Sequence, residues 1–473
     1  MSTERSPQPA IRSYFFGKGY RDLWDTIRDS WLANVASAGA LFEKAGSAWP
    51  RDHLGKLLAV LFGSAGVAVM VFGTVFFAAF SLLHVSLLGL FFLLVYLGFS
   101  LVFLLEKAYL GIKGFFTVCP ACHERMPLPE YLCPQCGAVH TRLIPSSWGI
   151  LNRTCQCGQR LPATFFLGRG ELPSRCPECQ HLLQAGHTES RKHFVPLYGG
   201  PAVGKTAFLC SAASQLLQEG PAGGFECGFL EERTAQTFAA LHQDLARGRT
   251  PDKTHDTLPR AFNLEMRRLG QDPRVLYLYD PAGEVFDRSD DLVLHKFQGY
   301  LSGLLFLVDP FSLPEVRRQH GGELALLEPH LRPSRLPVED ALARFFLNLE
   351  ENFELAKTAK VRVPVAVVVN KIDALALERE HEEAVAAARA RANGRPATGL
   401  PPEDEGLREL LIRWGASDLV QQLEARCARL RYFACSSLGR MPDGSSDPFA
   451  GRGVLPPLWW VLGSQDPAFF GRA

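Results

Sequence analysis

From Leu57 to Leu105 the chain runs for 49 residues without an Asp, Glu, Lys or Arg. No other feature limits the fold as severely, because a soluble domain would have to bury every face of such a segment. A membrane span needs about 20 apolar residues at a rise of about 1.5 Å each, so the run is long enough for two. The expectation is an N-terminal transmembrane helical hairpin over 57–105, with spans at 57–80 and 85–105 and a turn at 81–84. Gly63, Gly66 and Gly73 give the first span a small-residue face on which a partner helix can pack. Arg51, Lys56, Lys107 and Lys113 flank the run, and the positive-inside bias puts both flanks on the cytoplasmic side. The run starts too far into the chain, and is too long, for a signal peptide. Residues 1–56 read as a cytoplasmic juxtamembrane segment with an amphipathic helix over Tyr20–Phe42, and His84 as an interfacial turn residue.

The rest of the chain is long enough for further domains, and the net charge of +1 over 473 residues gives no argument for bulk nucleic-acid binding. Eight of the twelve cysteines fall between Cys119 and Cys179 in four close pairs. Pairs one or two residues apart suit a metal better than a disulfide framework. Cys119-Pro-Ala-Cys122 and Cys133-Pro-Gln-Cys136 predict one closed four-thiolate zinc site, and Cys155-Gln-Cys157 and Cys176-Pro-Glu-Cys179 a second, making tandem zinc ribbons over 115–185 that hold two Zn2+. With four thiolates per site no histidine ligand is needed, so His123, His140 and His181 read as surface residues. Residues 107–193 carry ten Lys/Arg against five Asp/Glu, an excess too modest to argue for nucleic acid as a partner.

After Pro196 the hydrophobic rhythm is that of an α/β domain, expected over 192–473. A strand ending at Tyr198 leads into Gly199, Gly200, Pro201, Ala202, Val203, Gly204, Lys205 and Thr206, a G-x-x-x-x-G-K-T loop, with Ala207 in the first turn of the helix behind it. Backbone N–H groups of such a loop face phosphate oxygens, Lys205 adds charge, and the Thr206 hydroxyl can ligate Mg2+. Strands are expected at 261–266 and 274–279, as a hairpin-like pair, and at 304–308, 363–369 and 432–434. Helices are expected at 205–219, 338–357 and 455–462. The strand at 274–279 ends in Asp280-x-x-Gly283, which suits indirect Mg2+ binding by Asp280 and γ-phosphate sensing by the Gly283 N–H. The strand at 363–369 ends in Asn370-Lys371-x-Asp373. The Asp373 carboxylate can accept from guanine N1–H and N2–H together, Asn370 orients the loop, and the Lys371 stem covers the base. That selects guanine over adenine.

In this order, the motifs resemble those of P-loop GTPases of the translation-factor-related class, over roughly 194–465. Zinc ribbons joined to a GTPase with Asp280-Pro-Ala-Gly-Glu284 resemble the bacterial double-GTPase-like proteins. The resemblance implies a Ras-like sheet, GTP/GDP and Mg2+. It puts Cys435-Ser436-Ser437 where the family has its Ser-Ala-Lys loop, so that the Ser437 N–H would meet guanine O6, with Leu438 in place of the lysine. Either Thr254 or Thr257 would be the switch ligand of Mg2+. Glu284 stands where fast-switching members carry a water-orienting Gln. It reads equally as a catalytic group working beside Lys205, giving slow hydrolysis, or as a surface carboxylate. The expected function is a membrane-anchored GTP-binding regulatory switch of the bacterial inner membrane, with the GTPase domain and both termini cytoplasmic. It would act on an effector, or with a partner that supplies an arginine. The alternative is a scaffold with a structural nucleotide, its ribbons mediating protein or nucleic-acid contacts.

Overall fold

The computed structural model describes residues 8–12, 18–50, 52–120, 122, 124–183, 190–220, 223–250, 260–280, 301–352, 359–392, 400–442 and 446–471. It divides into two compact units, Met1–Lys113 with Pro127–Glu189, and Gly114–Met126 with Ser190–Ala473.

The first unit begins with two helices, α1 (Lys18–Ala48) and α2 (His53–Lys113). The hairpin turn expected at 81–84 is not there: α2 is continuous over 61 residues, about 92 Å at 1.5 Å per residue. The chain has no proline between Pro50 and Pro120, and Ser81-Leu82-Leu83-His84 offers neither the Gly nor the Pro that ends a helix. The reversal lies instead between Ala48 and His53, so that α1 runs back along α2. Trp31 Nε1 donates to Ser81 Oγ at 3.1 Å, and Tyr20 stacks on Phe92 with centroids 4.4 Å apart. The small-residue face of α2 does receive a helix, and that helix is α1. A Cβ at Gly73 would fall 2.0 Å from Asn34 Oδ1, and one at Gly66 3.0 Å from the Phe42 ring. Away from α1, apolar side chains such as Phe72, Leu82 and Leu104 stay exposed. Among the described helices, α2 is the one long and apolar enough to cross a membrane.

The remainder of this unit is a small β-rich module. Glu130–Leu132, Val139–His140, Ser174–Arg175 and Leu182–Leu183 form a four-stranded sheet, and Asn152–Thr154 pairs with Arg160–Pro162. The Ile11 N–H donates to Thr154 O at 2.9 Å, tying the N-terminal residues to the module. Near the end of α2, Glu106 pairs with the fully buried Arg169 at 2.5 Å, and Arg169 also donates to the Leu143 and Ala163 carbonyls. His140 is not a surface residue as expected: it is fully buried, and its ring nitrogens have no partner among the described residues. Burial and the nearby Arg153 charge push its pKa down.

The second unit is built on a nine-stranded mixed sheet, eight of its strands named below and the ninth the two-residue Arg125–Met126, antiparallel to Phe115–Val118. Its elements are β1 (Phe115–Val118), β2 (Ser190–Tyr198), α3 (Lys205–Glu219), β3 (Glu226–Phe229), α4 (Glu232–Ala246), β4 (Arg260–Arg267), β5 (Arg274–Asp280), β6 (Leu304–Val308), α5 (Pro314–Leu331), α6 (Val338–Asn352), β7 (Val365–Val369), α7 (Leu377–Ala392), α8 (Pro402–Arg413), α9 (Ser417–Arg426), β8 (Leu430–Ala434) and α10 (Leu455–Gln465). The order across the sheet is β3-β4-β5-β2-β6-β7-β8, with β1 antiparallel beside the start of β2. From β5 to β8 all pairs are parallel, while β4 and β5 form the antiparallel pair expected from the sequence. β3 was not expected: Gly228 in its middle gives a weak strand signal, and it pairs only at the sheet edge.

Strict alternation in the parallel strands sorts their side chains onto two cores. Leu304, Phe306 and Val308 with Val365, Val367 and Val369 face a cluster containing Phe345, Leu407 and Trp414. Leu305 and Leu307 with Ala366 and Val368 face α3 and α10 through Phe208, Leu216 and Leu458. Strand order reverses at β2, since the chain leaves it toward β4 and β5 on one side and returns to β6 on the other. In an open parallel sheet that is where a ligand crevice forms, at the carboxyl ends of the strands.

Candidate nucleotide site

Four segments converge at those carboxyl ends: Gly199–Thr206 after β2, Asp309 after β6, Asn370–Asp373 after β7 and Cys435–Ser437 after β8. Two loop glycines are dictated by their neighbours. A Cβ on Gly199 (φ +146°) would fall 2.6 Å from Leu307 O, and one on Gly204 (φ +93°) 2.4 Å from Asn370 Nδ2. Ala202, with φ +61°, holds a left-handed conformation without being glycine, which places local strain inside the loop. Lys205 is buried and donates to Gly199 O at 2.9 Å and Gly200 O at 3.0 Å. The ammonium therefore sits at the first two residues of the loop. Thr206 and Ala207 lie in the first turn of α3, whose N-terminus carries the positive end of the helix dipole.

The guanine-loop residues are locked together by one amide. Asn370, 1% exposed, donates from Nδ2 to Val203 O at 2.8 Å, and its Oδ1 accepts from both the Ser437 N–H and the Ser437 hydroxyl at 2.9 Å. A single side chain thus joins the phosphate loop to the loop after β8. The Ser437 N–H, expected to meet guanine O6, donates here to Asn370. The Cys435 thiol also donates to Asn370 Oδ1 at 3.5 Å; burial, and then the Asp373 charge, pushes its pKa up and keeps it neutral. Ser436 exchanges backbone hydrogen bonds with Arg452, its hydroxyl accepts from the Gly439 N–H, and Ser211 Oγ donates to Ser437 O at 2.6 Å.

Asp309 is a central residue that the motifs did not reveal. It is completely buried, and its Oδ2 accepts from Lys371 Nζ at 2.7 Å and from the Ser334 N–H at 2.8 Å. Lys371, at φ +57°, also donates to Ala202 O, Leu331 O and Arg332 O at 2.8–3.3 Å. One ammonium thereby links the phosphate loop, the end of β6, the segment after α5 and the guanine loop. An Asp-Pro pair after a strand is too common a turn to be singled out from sequence.

The residues expected to bind Mg2+ fall only partly among the described residues. Asp280 ends β5 opposite Arg260 in the backbone register. Thr254, Thr257, Gly283 and Glu284 lie outside the described residues.

The first unit contains a separate thiol site that also corrects the sequence reading. Cys133 and Cys136 meet Cys155 and Cys157, with all four sulfurs within 4.8 Å of one another. Cys133 Sγ lies 3.6 Å from Cys157 Sγ, as does Cys136 Sγ from Cys155 Sγ. Zn–S bonds of about 2.3 Å in a tetrahedron put sulfurs about 3.8 Å apart, so these four fit a zinc ion. The knuckles therefore pair as the inner two of the four, not in consecutive order. Cys119 and Cys122 fall in the second unit, and Cys176 and Cys179 in the first.

Residues 193–414 match the family model described as Double-GTPase 2. No curated protein matches the sequence. Among solved structures, the chain is similar to nucleolar GTP-binding protein 1 of Plasmodium falciparum, at 12% identity and TM-score 0.25, covering 57% of this chain and 83% of that one. It is also similar to the Ski7 GTPase-like domain of S. cerevisiae bound to GTP, at 12% identity and TM-score 0.27, covering 55% of this chain and 48% of that one. The family match and the strand-end geometry agree: residues 193–414 are a P-loop GTPase domain of the double-GTPase type.

Proposed function

We propose that the chain is a membrane-attached molecular switch that binds GTP with Mg2+ and hydrolyses it slowly to GDP and phosphate, passing its state to a protein effector. The observation that carries this reading is the Asn370 amide, which holds the guanine-selecting loop against the phosphate loop so that base and phosphates are read by one connected set of hydrogen bonds. Thr206 and Asp280 are the Mg2+ candidates, with Thr254 or Thr257 as the switch ligand. Glu284, in place of a neutral water-orienting residue, keeps hydrolysis slow by bringing negative charge to the γ-phosphate. Zinc on Cys133, Cys136, Cys155 and Cys157 would leave no position open for substrate, and so serves the fold. The apolar surface of α2 left uncovered by α1 attaches the chain to the bacterial inner membrane, with the GTPase domain cytoplasmic. The uncharged run spans about 73 Å as a helix, over twice the ~30 Å hydrocarbon core, so a bilayer imposes a break or a strong tilt on it.

Competition binding on the detergent-solubilised full chain tests the reading. Fluorescent GTP should be displaced by GTP at least about a hundredfold more readily than by ATP, and Lys205→Ala should abolish binding. Equal displacement by ATP, or intact binding by the variant, would sink it.

A further inference from the structure

α6 belongs to the long insertion between β6 and β7, yet it is fixed to the end of β2. Phe345 packs edge-on to Tyr198 with ring centroids 5.0 Å apart, and the Tyr198 hydroxyl donates to Asn348 Oδ1 at 3.1 Å. Ala341, Arg344, Phe345 and Asn348 follow the i, i+3, i+4, i+7 spacing of one helix face. That face closes a small cavity whose other walls are Tyr198, Gly199, Gly200, Pro201 and Leu336, so half-buried Arg344 borders the first three residues of the phosphate loop. The Lys205 ammonium rests on this same end of the loop, at the Gly199 and Gly200 carbonyls. The lysine of such a loop serves the β- and γ-phosphates, so this is its terminal-phosphate end. A buried polar group also lies beside Gly200. Ser334 is 1% exposed, its hydroxyl has no partner among the described residues, and it lies 3.1 Å from where a Cβ on Gly200 would be.

We propose that Arg344 is this chain's own catalytic cation for the terminal phosphoryl group, supplied from the insertion rather than by a partner protein. This rests on the GTP-hydrolysis reading above. In the reaction a water oxygen bonds to the γ-phosphorus while the bond from that phosphorus to the β–γ bridging oxygen breaks. The electron pair stays on the β-phosphate of GDP, and both protons of the water leave with the inorganic phosphate as dihydrogen phosphate. Negative charge shifts outward over the phosphoryl oxygens as this happens. A guanidinium, permanently charged and rich in N–H donors, stabilises that shift more than it stabilises bound GTP. The anchoring of α6 through Phe345 and Asn348 holds the backbone that carries it beside the loop.

The test uses the full chain, preloaded with GTP, with single-turnover phosphate release and GTP affinity measured in parallel, and with retention of GDP plus aluminium fluoride as a mimic of the transferring group. Arg344→Ala should keep GTP affinity within about threefold, slow phosphate release about a hundredfold or more, and lose the fluoride complex. Arg344→Lys, which keeps the charge but not the planar fork, should recover under a tenth of the rate. If the alanine variant does not fold, Arg344→Gln is read in its place. Phosphate release within threefold of wild type in the neutral variant overturns the proposal, as does a loss of GTP affinity equal to that of Lys205→Ala. Wild-type protein that binds GTP but releases no phosphate over hours overturns it too. Wild-type protein that does not bind GTP fails the functional reading itself, a separate result.

Discussion

The nucleotide end of the sheet and the cysteine-and-helix unit are marked equally clearly in the sequence, yet they differ in how far those marks determine the structure. At the sheet, each motif sits at the carboxyl end of a parallel strand and does its work with local backbone and a few adjacent side chains. Once the strand order brings β2, β6, β7 and β8 side by side, the motifs have to meet. In the first unit the residue types are unambiguous, but their partners are a long-range matter. The small-residue face of α2 meets α1 rather than a second half of the same run, and Cys133–Cys136 meets Cys155–Cys157 rather than the preceding knuckle. Loop closure explains why spacing could not decide. Doubling a loop costs only about 0.6 kcal/mol, so the ten residues between Cys122 and Cys133 hold no useful advantage over the eighteen between Cys136 and Cys155.

The strongest test of this contrast removes one cysteine from each inner knuckle. If Cys133 and Cys155 share a site, the Cys133→Ser, Cys155→Ser double variant loses one zinc per chain; consecutive pairing would cost two. Structural zinc contributes about 10–16 kcal/mol of binding free energy to folding, so residues 127–189 should become protease-sensitive while GTP binding by the second unit persists. Metal analysis with limited proteolysis reads both outcomes, and loss of two zinc ions would restore the consecutive pairing.

A smaller effect is expected where α2 meets the β-rich module. Arg169 is 1% exposed, and Glu106 is its buried counter-charge. Glu106→Ala removes that counter-charge and should destabilise the first unit by about 3–5 kcal/mol, seen as an earlier loss of protease protection in denaturant. Glu106→Leu with Arg169→Met should recover most of that loss, because the desolvation cost disappears with the charge. A double variant no better than Glu106→Ala would mean that the Arg169 bonds to the Leu143 and Ala163 carbonyls, not the ion pair, hold the module to the helix.

Within the second unit, legibility followed the same division. The helix over 205–219 and the strand over 304–308 sit where hydrophobic period and motif put them, and Val365–Val369 emerges from its β-branched run. The residues that escaped notice act through contacts far away in the chain. Asp309 has meaning only once Lys371, 62 positions later, returns to it, and Arg344 only once its helix is docked on Tyr198. The family resemblance puts the Ser437 N–H at guanine O6, while in the structure it donates to Asn370, a contact that only the geometry reveals.

The mildest prediction concerns that buried carboxylate. Among the described residues, the Lys371 ammonium has three backbone carbonyls and one charge around it, and the charge is Asp309, which no solvent reaches. Asp309→Asn nearly preserves volume. It also lets the Oδ1 position go on accepting from the Phe311 N–H. What changes is the Oδ2 position, where an amide N–H would then face two donors, Lys371 and the Ser334 N–H. Lys371 should loosen over the guanine loop without the P-loop losing its fold. GTP affinity should fall about tenfold, equivalent to about 1.4 kcal/mol, with a parallel loss of preference over ATP, both far smaller than the effect of Lys205→Ala. Equilibrium titration with each nucleotide measures the two together. Unchanged affinity and selectivity would mean that the carbonyls alone position Lys371, which would make the guanine loop as locally determined as its motif suggests.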